Sequence, residues 1–294
     1  MAATTVRVIA PAKVNLHLAV GARRADGYHK VTTVLQALEL ADTVTITAGV
    51  PFSFSCTPDL DLAPGDNLAH RAARALSDRF DRPAEVSIAV EKRIPAAAGL
   101  GGASSDAAAV LCGLAQLWDL PRDDPALVEV ARALGADVPF FLVGGAALFA
   151  GRGDVFVRAL PPLDAPVVLI RPREPVPTAE AYEAFDALPA SPAAEVRYLA
   201  DALRMRETAR VAELMHNDLT RASESLVPPI REALELLADD PGVLGAAMAG
   251  SGSAVFGICS SRETAVRLAS EARRTGLWAE ATHTADHGCR IVSV

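Results

Sequence analysis

The sequence predicts an α+β protein of two domains. Three observations carry that expectation. Strand-like and helix-like segments come in runs, not in strict alternation. The 294 residues exceed what one ordinary core requires. A segment with three prolines, Leu160 to Pro166, interrupts the pattern near the middle. It sets the division at residues 1–161 and 162–294.

The elements follow in order. Val6–Ile9 and Val14–Leu18 read as strands separated by Pro11, and Thr32–Ala37 and Val44–Thr47, rich in β-branched residues, as two more. Asp66 is a good N-cap for a helix over Asn67–Ser77. Val86, Ile88 and Val90 alternate with small residues, the pattern of a half-buried strand that Pro95 ends. A glycine-rich loop leads into a helix over Ser104–Leu117, and a further helix, Ala126–Leu134, closes on Gly135. Ala147–Phe149 and Val155–Leu160 suggest a hairpin-like pair. Beyond the prolines come a strand at Val167–Ile170, amphipathic helices between Ala179 and Leu237, and a strand near Gly245–Ala249. After the Gly250-Ser251-Gly252 turn follow a strand at Ala254–Cys259, a helix at Glu263–Thr275 and a last strand near Arg290–Val294.

Composition narrows the function. The chain is 51% hydrophobic and 22% charged, with a formal net charge of -8. Binding to nucleic acid needs a basic face that displaces counterions, so an acidic chain disfavours it. A small nucleotide ligand stays open, because a few local donors suffice. No apolar run spans a bilayer, and Met1–Ile9 lacks the long apolar stretch of a secretory signal, so a cytoplasmic protein is expected. Cys56, Cys112, Cys259 and Cys289 have neither metal-ligand nor disulfide spacing, and no metal centre is expected from protein ligands alone.

The strongest chemical signal is Pro95-Ala96-Ala97-Ala98-Gly99-Leu100-Gly101-Gly102-Ala103-Ser104-Ser105-Asp106. Glycines let backbone approach a ligand closely, and the helix start behind them offers unpaired N–H groups with the positive end of a dipole. That is an anion site, most often for a di- or triphosphate. The hydroxyls of Ser104 and Ser105 could bond a phosphate oxygen or a magnesium-bound water, or simply cap the helix. The segment is neither a Walker P-loop nor a dinucleotide fingerprint. Taken alone, it reads equally well as a tight strand-to-helix connection.

Two further segments resolve this. Ala10-Pro11-Ala12-Lys13-Val14-Asn15-Leu16-His17-Leu18, the glycine-rich loop, and Met248-Ala249-Gly250-Ser251-Gly252-Ser253-Ala254-Val255-Phe256 together resemble the three signature motifs of GHMP kinases. Arg24-Ala25-Asp26-Gly27-Tyr28-His29 and Thr32-Thr33-Val34-Leu35-Gln36 are most similar to the diphosphocytidyl-methylerythritol kinases among them. Gly65-Asp66-Asn67-Leu68, Gly135-Ala136-Asp137-Val138-Pro139-Phe140-Phe141 and His216-Asn217-Asp218-Leu219 support it. The resemblance implies an N-terminal ATP-binding domain and a C-terminal ferredoxin-like substrate domain, with both substrates meeting between them. It also implies transfer of the γ-phosphoryl of ATP, with Mg2+, to the 2-hydroxyl of the diphosphocytidyl-methylerythritol acceptor, by a monomer or weak homodimer.

The same resemblance implies roles. Asp137 is the expected general base, the plain alternative being a turn aspartate after Gly135. Lys13, oddly placed at a strand start, would favour the charged form of Asp137 and stabilise the attacking oxygen; otherwise it is an edge-strand lysine. Asn15, two residues on and so on the same strand face, is placed by the acceptor. Pro95, Gly99, Leu100, Gly101, Gly102, Ala103, Ser104 and Ser105 bind phosphate. Asn67 lines the adenine pocket or begins a helix. Tyr28, His29, Thr178 and Tyr182 form the cytidine pocket, with core packing as the alternative for Tyr28. His216, Asn217 and Asp218 are expected to be structural, on a helix away from the signature loops. Ala96–Ala98 and Ala103 stand where relatives often carry glycine. Their methyls are tolerable only at negative φ, with altered loop mobility expected and ATP binding kept.

Two competing readings remain. A kinase for another small alcohol would lack the Asp26-Gly27-Tyr28-His29 segment, and a nucleotide sensor without catalysis would lack Lys13 or Asp137.

Overall fold

The computed structural model describes residues 4–189 and 195–292. Its first half is built on one long antiparallel hairpin, β1 (Thr5–Arg23) and β2 (His29–Ala48). β3 (Ser53–Thr57) follows, then α1 (Leu68–Phe80), β4 (Val86–Glu91) and α2 (Gly102–Leu117). α3 (Pro125–Leu134), α4 (Val138–Val143), β5 (Ala146–Ala150) and β6 (Val155–Leu160) complete this half. The second half runs β7 (Pro166–Arg171), α5 (Thr178–Asp186), α6 (Val196–Met205), α7 (Thr208–Glu213), β8 (His216–Asn217), α8 (Thr220–Leu226) and α9 (Pro229–Ala238). It ends with β9 (Val243–Met248), β10 (Val255–Cys259), α10 (Arg262–Arg274), β11 (Trp278–His283) and β12 (Arg290–Val292). The expected last strand reaches to residue 294, and residues 293 and 294 lie outside the described residues.

The first sheet runs β12-β1-β2-β4-β3, with β5 and β6 continuing from β2 and β8 alongside β1. The second is β11-β7-β10-β9, antiparallel throughout. In chain order that is 4-1-3-2, the ferredoxin-like arrangement expected. Helices α1 to α4 cover one face of the first sheet and enclose one core. A second core fills the space between the first sheet and β7, β10, α6 and α7, and a third lies under α9 and α10. α2 is buried on every side from Ser105 to Ala115, so it forms the centre of the first half.

Pro11 does not separate two strands. β1 passes through it with a register shift between Pro11 and Lys13. Val6, Val8 and Ala10 lie in the core under the helices, whereas Ala12, Val14 and Leu16 lie in the core between the sheets. The irregularity turns the strand over, as bulges do. Lys13 and Asn15 are thereby aimed at the helix side without disturbing either core. β2 is likewise continuous where two strands were expected.

Three smaller expectations change. Asn67, not Asp66, caps α1: its Oδ1 accepts from Ala69 N at 2.9 Å, while Asp66 ends a short 3-10 turn. Gly135 follows α3 with extended backbone, φ 176°, because the chain turns straight into α4, which was not anticipated. Ala97 takes φ 51°, so one of the four alanines does occupy the left-handed region.

Candidate active site

Lys13 is 2% exposed, and burying an ammonium requires partners. Its Nζ donates to Asn15 Oδ1 at 2.8 Å and lies 3.4 Å from Asp137 Oδ2. Asp137 stands at the start of α4 with its side chain 34% exposed and making no capping bond. Its carboxylate is thus paired on one side and open on the other. Asn15 Nδ2 donates to Thr33 Oγ1 at 2.9 Å, and that hydroxyl donates to the His17 carbonyl at 2.7 Å. This fixes which way the Asn15 amide faces.

The glycine-rich loop wraps the lysine. The Lys13 N–H donates to Leu100 O at 3.0 Å. At Gly101, φ 75°, a Cβ would stand 3.0 Å from Lys13 Cγ and 2.8 Å from Phe141 Cζ; at Gly99, φ 77°, it would stand 2.0 Å from Ala249 O. Neither position accepts a side chain. Gly101 is the N-cap of α2 and brings no side-chain cap, so the first N–H groups of the helix face outward. α2 starts at Gly102, two residues before the expected Ser104. Asn67 belongs to the same neighbourhood. A Cβ on Gly135 would lie 3.9 Å from both Leu68 Cδ2 and Ser104 Oγ, which sets the start of α1 beside that of α2.

Behind the loop lies a triad that the sequence did not reveal as a unit. Lys92 Nζ donates to both Asp42 Oδ2 and Asp106 Oδ2, and Asp42 Oδ1 accepts from Ile94 N at 2.8 Å and from Arg93 N. One ammonium serves two buried carboxylates. Burial pushes Asp106 up, to about 8, against the pull of Lys92. Lys92 is raised as well: burial disfavours its charge, but the two carboxylates outweigh it. Ser105 Oγ and Asp106 Oδ1 are buried without a hydrogen-bond partner.

The third motif closes the site. Gly250 N donates to Asn15 Oδ1 at 2.8 Å, and Ala254 N to Ala98 O at 3.1 Å. Ser251 Oγ lies 2.9 Å from Thr178 Oγ1, and Ser251 O accepts from Ser223 Oγ at 3.0 Å. The placement expected for His216, Asn217 and Asp218 is corrected here. They are not helical; β8 pairs in parallel with β1, and Asn217 Nδ2 donates to Met248 O and Gly250 O at 2.8 Å each.

A second cluster lies alongside. The His29 ring stacks on Tyr182 with centroids 5.0 Å apart at 22°, meets Phe185 edge-on, and holds Asp186 Oδ1 at 2.8 Å through Nε2. The Tyr182 hydroxyl is pushed up to about 12, chiefly by burial and further by the charge of Asp137. α5, which carries Tyr182, reaches the site through the contact of Thr178 with Ser251. Tyr28 is 56% exposed, with the Arg152 guanidinium 5.0 Å over its ring, so it is no core aromatic. Lys13, Asn15, Asp137, the glycine loop and Gly250 come together; Thr178 joins them through Ser251. Sequence reasoning missed Asp42, Lys92 and Asp186, and quoted Thr33 within a motif without a role for it. The first three carry no motif, since each acts through a partner 14 to 157 positions away.

Two family models match: the GHMP kinases N terminal domain over residues 67–145 and the GHMP kinases C terminal over residues 199–276. The chain is 40% identical to the 4-diphosphocytidyl-2-C-methyl-D-erythritol kinase of Gloeobacter violaceus, over 88% of this chain and 87% of that one. It is 38% identical to the enzyme of the same name from Pelotomaculum thermopropionicum, over 92% and 94%. A crystal structure of a 4-(cytidine 5'-diphospho)-2C-methyl-D-erythritol kinase superposes with a TM-score of 0.79 at 36% identity, covering 95% of this chain and 98% of that one. A homoserine kinase from Cytophaga hutchinsonii, TM-score 0.75 at 20% identity over 98% and 97%, shares the fold.

Proposed function

From the chain's membership of the 4-diphosphocytidyl-2-C-methyl-D-erythritol kinases within the GHMP kinases, we propose that it transfers the γ-phosphoryl of ATP to the 2-hydroxyl of 4-diphosphocytidyl-2-C-methyl-D-erythritol. This is a step of non-mevalonate isoprenoid precursor synthesis. The observation that carries the reading is the Lys13–Asp137 pair, 3.4 Å apart, beside a glycine loop whose helix N-terminus is uncapped.

Asp137 accepts the proton of the acceptor hydroxyl as that oxygen bonds to the γ-phosphorus and the bridging oxygen leaves with ADP. Lys13 neutralises charge on the attacking oxygen, and Asn15 holds Lys13 in place. The loop from Pro95 to Ser105 receives the phosphates on backbone N–H groups. His29 and Tyr182 hold the cytosine, while Thr178 and Tyr28 border that pocket. Each stacking contact contributes roughly 0.5–1.5 kcal/mol. Asn67 lies on the adenine side, at the start of α1.

Magnesium fits the residues behind the loop. Ser105 Oγ and Asp106 Oδ1 are buried and unpartnered, and a cation there would favour the charged form of Asp106 that burial disfavours. Among the described residues no three His, Cys, Asp or Glu side chains form a cage, so phosphates and water would supply most ligands. When bound, the ion neutralises the β- and γ-phosphate oxygens. We assign residues 1–161 to ATP binding and 162–294 to the second domain, a division supported by the second sheet, whose four strands all follow Leu160 to Pro166, although β8 and β12 return to the first sheet. The protein is read as a cytoplasmic monomer or weak homodimer; among the described residues no helix is long and apolar enough to cross a membrane.

The test is ADP release with magnesium, comparing the diphosphocytidyl acceptor with mevalonate, homoserine and galactose. Turnover on the first alone is expected. Asp137→Asn should lower kcat by about 10²–10⁴ with ATP binding retained. Turnover within a few-fold of wild type removes Asp137 as the base.

A further inference from the structure

Asn217 is 8% exposed, and both hydrogens and the oxygen of its amide are engaged. Nδ2 donates to Met248 O and Gly250 O at 2.8 Å each, and Oδ1 accepts from Leu219 N at 3.0 Å. Only a primary amide of this length offers two donors to two carbonyls while accepting a third bond from its own loop. Along the backbone the Gly250 N–H lies between these two carbonyls, and it donates to Asn15 Oδ1, the same oxygen that receives Lys13 Nζ.

Asn217 is itself fixed to the strand that carries those residues. His216 and Asn217 pair with His17 and Leu18. Asp218 N donates to Leu18 O at 3.0 Å, and Asp218 Oδ2 accepts from Val20 N at 2.7 Å. The chain of contacts therefore leaves β1 through β8, crosses the third motif, and returns to β1 at Asn15. A loop held at three points of one rigid strand keeps its N–H groups where they are aimed.

We propose that Asn217 is a positioning residue for phosphoryl transfer, orienting the Met248–Gly250 turn so that Gly250 fixes Asn15 and, through it, the Lys13 ammonium beside Asp137. The inference rests on the phosphotransfer reading above, with Asn217 touching neither reactant. A loop staple that served folding alone would show the same hydrogen bonds, so the discriminating measurement is the dependence on Asn15.

The experiment compares Asn217→Ser in the wild-type and Asn15→Ala backgrounds, reading kcat, KM for ATP and melting temperature. With Asn15 present, kcat should fall about ten- to a hundredfold, the scale of an ångström-sized misplacement, with KM for ATP within about threefold. With Asn15 already removed, Asn217→Ser should change kcat by less than about twofold, because its route to Lys13 is gone. Loss by the same factor in both backgrounds, or kcat within twofold of wild type, overturns the proposal. Should the serine variant not fold, Asn217→Asp keeps size and the Leu219 contact and is read by the same criteria. A wild-type enzyme silent on the diphosphocytidyl acceptor would sink the substrate reading, and the Asn217 comparison is then made on whichever acceptor of the panel turns over.

Discussion

His17 ties acid stability to the site. It is 2% exposed, its Nε2 has no hydrogen-bond partner, and it faces His216 and Asp218 of the β8 segment. Burial, helped by the charge of His216 and opposed by Asp218, lowers it from 6.5 to about 4. Below pH 6.5 the unfolded chain takes up a proton that the folded chain refuses until near pH 4. Stability is therefore complete above 6.5 and is lost as pH falls through that window. The cost is about 1 kcal/mol at pH 5.5 and roughly 2–3 kcal/mol at pH 4.5, approaching a limit of about 3 kcal/mol. His17→Leu removes this component and leaves the acid losses of the other groups, such as Asp218. Urea unfolding followed by Trp118 and Trp278 fluorescence at pH 7.5, 5.5 and 4.5 measures it. The variant's stability relative to wild type should rise by those amounts on acidification. Parallel losses across the window would refute the assignment of a neutral, buried imidazole.

Two further substitutions probe the loop and its support. Gly99→Ala, with φ 77° and its methyl driven to 2.0 Å from Ala249 O, should destabilise by about 2–4 kcal/mol and weaken ATP binding; Gly27→Ala, at φ 86° with nothing within 4 Å, should cost only about 1–2 kcal/mol and leave ATP affinity unchanged. Lys92→Met leaves Asp42 and Asp106 buried against each other without a counter-charge and should destabilise by about 3–5 kcal/mol, measured by thermal melting; Lys92→Met combined with Asp42→Asn and Asp106→Asn should recover most of it.

The residues that the sequence disclosed are those whose chemistry is local. Glycines at 99 and 101 mark backbone that a Cβ would block, and they are visible as letters. Lys13 is conspicuous because an ammonium beside alanine and valine needs a reason. The fold class was legible too, since alternation and proline punctuation are short-range signals. What stayed hidden depends on long-range geometry. Pro11 looked like a strand end, because a proline usually is one, yet a bulge lets β1 run through it. Asp42 and Lys92 are ordinary strand-end charges until folding brings them together with Asp106. Asn217 looked helical, and only the pairing of β8 with β1 shows what its amide holds.

An acidic chain that binds a triphosphate must create positive potential locally, and here most of it is not side-chain charge. Lys13 is engaged by Asn15 and Asp137, and Lys92 by Asp42 and Asp106. Neither ammonium is a free counter-ion for phosphate. On the proposed reading the loop instead presents N–H groups at the mouth of α2, which is buried from Ser105 to Ala115, so the dipole behind the first turn is poorly screened by water. Backbone donors also need no reorganisation when charge shifts from the γ-phosphate toward ADP. Their direction must then be set elsewhere, since backbone cannot repack as a side chain can. This explains why the three motifs are tied to one another more tightly than to the open cleft. Leu100 is held by the Lys13 N–H, Ala98 by Ala254, and Gly250 by Asn15 and Asn217. On the proposed mechanism the chemistry rests on Lys13 and Asp137, and their 3.4 Å separation is supported by amides on distant stretches of chain.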